Sequence, residues 1–192
     1  MARILSIRQN YRGDTGSNEV NESVDVANRN PIQESSARLE KLADEIYAAL
    51  AAQFPVCLSS DEFHFFPHFR PETGDQSAWD DFSEGAVRHF FSTVMQWRTR
   101  LDALRPQLPA SAVTVDIDLL SRVLTTLYEQ LKRVRVHQTQ PTFYLTIISI
   151  GLSEALSESR EALERRITSL PAFLESAMTN LTHVPVVAAE VA

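Results

Sequence analysis

Pro141-Thr-Phe-Tyr-Leu-Thr-Ile-Ile-Ser-Ile-Gly-Leu-Ser-Glu-Ala-Leu156 decides the fold class. Proline suits the first position of a helix, where its missing N–H costs nothing and its φ is already helical. From Phe143 to Leu156 nine of fourteen residues are apolar, and a helix apolar on nearly every side is a buried one. The polar exceptions are ordered. Thr142, Thr146, Ser149 and Ser153 step by four, three and four, which draws one narrow stripe of small hydroxyls. Such a stripe can line a polar cavity. The simpler reading is that Ser and Thr bond back to their own carbonyls and let a neighbouring helix approach. The segment therefore predicts a buried central helix over about 141–156.

Working outward, the other segments also carry helical periodicity. Leu39, Leu42, Ile46 and Leu50 step by three, four and four, which predicts a helix from about Glu34 that Pro55 terminates. Ser77 with Asp80 three residues on reads as a capping box opening a second helix. Phe82, Ala86, Phe90, Val94, Trp97, Leu101 and Leu104 share its inner face. A third helix is expected from about Thr114 to His137, with Leu120, Val123, Leu127, Leu131 and Val134 inward. After a loosening at Ser157–Arg160, Leu163, Ile167 and Leu170 face inward with Glu161, Glu164, Arg165 and Arg166 outward. Pro171 then opens a last short helix. No strand signal appears. The expected architecture is all-α, an antiparallel bundle of five to six helices. It comprises a helical domain over 33–184, a disordered tail over 1–32 and a C-terminal tail over 185–192. Residues 9–31 are too rich in Asn, Asp, Ser and Gly to offset their ordering entropy by burial.

One segment is not helical in character. Residues 54–77 hold three prolines, yet they also hold Phe54, Phe63, Phe65, Phe66 and Phe69, five of the ten phenylalanines. An apolar loop of this kind is expected to be packed down rather than solvated.

Composition excludes several function classes. The 192 residues are 44% apolar and 22% charged with a formal charge of −7, which suits a soluble globular chain and argues against a nucleic-acid binder. The single cysteine, Cys57, excludes an intrachain disulfide framework and a multi-cysteine zinc cluster. The longest strongly apolar stretch, Phe143–Leu152, is half of the roughly 20 residues a bilayer span needs. The first residues have no apolar core of signal-peptide length, so a cytoplasmic location is expected. The basic run from Lys132 to His137 complements the negative end of a helix dipole.

Chemistry-bearing residues concentrate in the aromatic loop. Cys57, Asp61, Glu62, His64 and His68 are all metal-ligand types. Pro67 prevents the helical i,i+4 geometry that His64 and His68 would need, and no second ligand pair completes a site. Three readings of the loop stay open: a packed aromatic loop whose imidazoles reach backbone carbonyls, a metal site on Asp61, Glu62, His64 and His68, or a ligand- or partner-facing loop using Asp61, Glu62, His64, Phe65, Phe66 and His68. Cys57 lies between Val56 and Leu58, which suits a small buried hydrophobe better than a nucleophile. HExxH, GxSxG, Walker and GxGxxG motifs are absent, so no catalytic residue is assigned.

Phe54-Pro-Val-Cys57-Leu-Ser-Ser-Asp61-Glu62-Phe-His-Phe-Phe-Pro67, Gln140-Pro-Thr-Phe-Tyr-Leu-Thr-Ile, Gly151-Leu-Ser-Glu-Ala-Leu156, Leu170-Pro-Ala-Phe-Leu-Glu and Asn180-Leu resemble the amino-terminal part of a bacterial domain-of-unknown-function family, number eight-eight-five. The resemblance covers roughly Ser35 to Val184. Members are large, mostly helical proteins similar to thermolysin-clan zinc peptidases, with an HExxH zinc helix in their carboxy-terminal part. The resemblance implies peptide hydrolysis through a zinc-bound water for a complete member. It assigns no catalytic residue and no cofactor to this chain. The implied function is a non-catalytic N-terminal helical module, a fragment or truncated member whose partner is the missing catalytic part or a second copy. The alternative is a stand-alone interaction module that docks a partner through the Phe63–Phe69 loop. Neither nucleic acid nor membrane is expected as a partner.

Overall fold

Leu39, Leu42, Ile46 and Leu50 are all buried along the first helix, as their spacing predicts. The computed structural model describes residues 22–69, 77–108 and 112–185. Helix α1, Glu22–Gln53, is recorded from a point ahead of the start expected near Glu34. The tail expected over 1–32 lies largely outside the described residues, as does all but Pro185 of the one expected over 185–192.

Pro55 ends α1 but starts a new element instead of a loop. It stands at the first turn of the short helix α2, Pro55–Ser59, whose Val56, Cys57 and Leu58 are buried. A proline cannot continue the preceding helix, yet it lacks only an N–H that a helix start leaves unbonded in any case. The remainder of the aromatic segment turns back on itself, with Phe66 N–H donating to Phe63 O and Phe69 N–H to Leu58 O.

Helix α3, Glu84–Leu104, starts seven residues after Ser77, because Ser83 is its cap and accepts from Ala86 N–H. The expected capping box at Ser77 and Asp80 does not form. Phe90, Val94, Trp97, Leu101 and Leu104 point inward as anticipated. A 3-10 turn, Arg105–Gln107, leads toward α4, Ala112–Glu129. Here the predicted single helix to His137 is corrected. The chain widens into a π turn over Gln130–Val134, and Arg135 adopts a left-handed conformation before the short α5, Val136–Thr139. The interruption swings Val134 out to solvent, although the periodicity had placed it inward.

Pro141 opens α6, Pro141–Glu158, and a Ser159 cap that accepts from Ala162 N–H opens α7, Arg160–Asn180. Pro171 lies inside α7 rather than starting a separate helix. Helix α6 gives Phe143, Tyr144 and Ile147 to the core, but its burial is one-sided where burial all round was expected. Leu145 and Leu156 are 55% and 68% exposed, and Ser149 and Ser153 face solvent beside them. Of the stripe's hydroxyls, Thr146 donates to the Thr142 carbonyl one turn back, as the simpler reading predicts, whereas Ser149 and Ser153 meet solvent and no helix among the described residues covers them.

The fold is all-α, with five long helices, two short ones and no strand among the described residues. Among these residues no helix is long and apolar enough to cross a membrane. The core is knitted by rings. Phe54 lies 5.0–5.5 Å from Phe66, Phe82 and Phe90, and Phe143 joins Phe63, Phe65 and Phe82. Such edge and offset contacts add to burial itself. The aromatic segment is thus packed down, with Phe63 and Phe66 buried and Phe65 half-buried. Replacing Phe66 with Ala is expected to cost about 3–5 kcal/mol, read as a lowered urea midpoint with an unchanged slope.

Candidate functional site

The exposed end of the aromatic segment carries its charged residues. Asp61 Oδ1 and His68 Nδ1 lie 2.6 Å apart, with both side chains at least half exposed. Glu62 and His64 are exposed, and Glu62 N–H donates to Ser60 Oγ. Phe65 and Phe66 turn the other way and meet in a tilted ring contact, 4.9 Å between centroids. The six residues are therefore split between a solvated rim and the ring cluster. Among the described residues no group of three or more His, Cys, Asp or Glu converges as a metal site would require. The basic run is split as well. Arg133 pairs with Glu129 at 3.0 Å, Lys132 sits over the Phe91 ring at 5.2 Å and His137 is buried.

A second polar centre lies inside the protein, and the sequence signalled it only as a cap. Asp80 is fully enclosed, and its Oδ1 accepts from Val56 N–H at 2.9 Å and Cys57 N–H at 3.3 Å. It caps α2 from a distant segment, because Phe54 at the helix start has no side chain able to do so. The Cys57 thiol donates to Asp80 Oδ2 at 3.2 Å. Burial pushes Asp80 up to about 7, against the opposing pull of its hydrogen bonds from Cys57 and Val56 and of the Arg166 charge. Burial, helped by the neighbouring carboxyl, also pushes the Cys57 thiol well up. A protonated, enclosed thiol bonded to a carboxyl is no nucleophile, so the reading of Cys57 as a buried hydrophobe stands.

Arg166 was expected on the outer face of its helix. It is 2% exposed, the largest fully buried side chain. Its guanidinium lies 5.1 Å over the Trp79 ring and 4.0 Å from Glu154, and its carbonyl accepts from Trp79 Nε1–H at 3.2 Å. Trp79 also stacks on Phe173 at 4.9 Å. Gly151 makes room for this pair, since a Cβ there would fall within contact of Arg166 Nη1 and 2.7 Å from Trp79 Cζ3. Asp80, Trp79, Gly151 and Arg166 are the residues that helical periodicity could not single out. Only the glycine in an otherwise bulky run hinted at a close approach.

Five of the nine large apolar side chains that are exposed among the described residues belong to α6 and α7. Leu145 and Leu156 on α6 are joined by Ile167, Leu174 and Met178 on α7, the last 75% exposed. Ile167, Leu174 and Met178 step by seven and four, so they share one face. The α6–α7 hairpin is held to the body by Phe143, Tyr144 and Ile147 of α6 and by the contacts of Arg166 and Phe173 of α7 with Trp79, while these five side chains stay exposed.

Comparison of the chain with family models, with curated proteins and with solved structures finds no match.

Two outcomes follow from the buried centre. Gly151→Ala is expected to lose about 1–3 kcal/mol through overpacking, seen as a lower melting temperature. Asp80 is protonated more readily in the folded state, so the stability it contributes is complete below about pH 4 and is lost as pH rises through about 7. Asp80→Asn keeps the oxygen that caps α2 and removes this titration. Measured by urea unfolding, the difference between D80N and wild type is expected to move in favour of D80N between pH 4 and pH 7.

Proposed function

We propose that this chain is a non-catalytic helical module that offers a docking face to a larger protein, and that it represents the amino-terminal helical part of a bacterial zinc-peptidase-like protein of the cytoplasm. The observation that carries the reading is the uncovered apolar face of α6 and α7. Exposed apolar patches on a polar-rimmed surface mark contact sites, because solvating them costs free energy that a partner recovers. Leu145, Leu156, Ile167, Leu174 and Met178 provide that area, while Glu161, Glu164 and Arg165 keep neighbouring positions of α7 polar. The motifs at 54–67 and 140–156 support the peptidase-like context, and a carboxy-terminal catalytic part is the occupant that context supplies.

The buried centre supports the non-catalytic half of the reading. Its one thiol is protonated and enclosed, and its carboxyl is spent on capping α2. Docking through Phe63–Phe69 draws less support, since Phe63 and Phe66 are already buried against Phe54 and Phe143.

Sedimentation and dye binding test the proposal together. The folded chain alone is expected to bind an apolar fluorescent dye and to associate progressively as concentration rises. Ile167→Glu combined with Met178→Glu is expected to abolish both while moving the melting temperature by only a few degrees. A discrete dimer at every concentration would make the partner a second copy instead. A strictly monomeric chain that binds no dye would refute the docking face.

A further inference from the structure

A cleft of about 340 Å³ opens where the start of α3 and the π turn meet α5 and the end of α7. One wall is apolar, formed by Phe82, Val87, Phe91 and Leu131; the exposed Lys132 and Arg135 bring positive charge to the lining, and His137 and His183 complete that side. This volume falls within the range of small-molecule sites, which combine a mostly apolar lining with a few converging polar groups.

Three independent features set the cleft apart. The first is charge. Arg88 on its edge is neutralised by Glu84, but neither Lys132 nor Arg135 has a carboxylate partner among the described residues. Two cations without a carboxylate partner, Lys132 over the Phe91 ring and Arg135, therefore line one cleft in a chain of formal charge −7. The second is backbone geometry. Arg135, at φ 54° and ψ 43°, is the non-glycine residue of positive φ among those described. It follows a π turn, an element frequent at functional sites. Glycine or asparagine would satisfy this position without strain, and a bulky side chain held in a sparsely populated conformation points to a use for that side chain. The third is His137. It is 3% exposed and stacked on Phe82, and its Nδ1 has no hydrogen-bond partner. A buried polar atom left unpaired calls for an explanation, and a site completed by a ligand provides one.

We propose that this cleft binds a small organic anion on an aromatic body, with Lys132 and Arg135 meeting the carboxylate or phosphate head and Phe82, Val87 and Phe91 receiving the ring. Charge-assisted bonds from Arg and Lys recognise either head. The ring adds apolar and stacking contact that a bare ion cannot make. The lining of the cleft shares no residue with the exposed apolar side chains of α6 and α7, so its test is independent of the docking face.

Calorimetric titration of the full chain with benzoate, phenyl phosphate and inorganic phosphate distinguishes the outcomes, with the His137 ring resonances as a local reporter. Saturable binding of benzoate or phenyl phosphate, tighter than inorganic phosphate and with shifted His137 signals, is expected. The tighter of the two aromatic anions identifies the head group. Arg135→Gly is expected to weaken binding at least tenfold while holding or raising the melting temperature, because glycine relieves the left-handed strain. Lys132→Gln, at an exposed position, is expected to weaken binding as well and carries the test should R135G fold poorly. Absence of binding by both aromatic anions would overturn the proposal. So would wild-type affinity in K132Q, or inorganic phosphate binding as tightly as phenyl phosphate.

Discussion

A buried carboxyl group at Asp80 holds the molecule's irregular parts to its helices. Enclosing a carboxyl away from water is unfavourable unless hydrogen bonds replace its hydration. Here two backbone N–H groups of α2 and the Cys57 thiol do so. The same bonds satisfy donors that the start of α2 would otherwise leave unpaired. Asp81 N–H donates to Gln53 O one residue further on, so the segment before α3 is fastened to both the end of α1 and the start of α2. The ring cluster around Phe54 can then close over α2, with Phe82 brought in from that same segment.

Trp79, the neighbour of Asp80, extends this anchoring to the α6–α7 hairpin. It bonds the Arg166 carbonyl, lies beneath the Arg166 guanidinium and stacks on Phe173. A buried arginine is tolerable only where aromatic and polar groups replace its water. Gly151 is what lets them come close enough. These contacts add to those of Phe143, Tyr144 and Ile147, by which one side of α6 joins the core. One-sided attachment explains why α6, for all its apolar residues, shows Leu145 and Leu156 to solvent. The same uncovered side supports the docking role proposed for the chain.

Beside the start of α6 and the end of α7, the π turn and left-handed Arg135 redirect the chain from α4 into α5. The change of direction carries Val136 and His137 inward while Lys132 and Arg135 stay at the rim of a cleft. Tyr144 ties the turn down, its hydroxyl donating to His137 O at 2.8 Å and accepting from Asn180 Nδ2 at 3.2 Å. The mouth of the cleft is therefore built by the ends of elements, where side chains are free to serve something other than packing.

Helical spacing alone determined the class of fold and most of its inner faces. Leu39, Leu42, Ile46 and Leu50, and Phe90, Val94, Trp97, Leu101 and Leu104, are buried where a 3.6-residue period places them, because that period is a property of the backbone itself. Loop phenylalanines were legible for a similar reason, since rings of that size cannot stay in water at low cost. Local pattern misled wherever a residue's partner lies far along the chain. Asp80 looked like a cap for its own segment and caps α2 instead. Arg166 looked like an outward charge and is enclosed by Trp79 and Gly151. Val134 kept the period of α4, yet the π turn broke that period one turn earlier. In each case the deciding free energy comes from long-range enclosure, which exists only once the helices have packed.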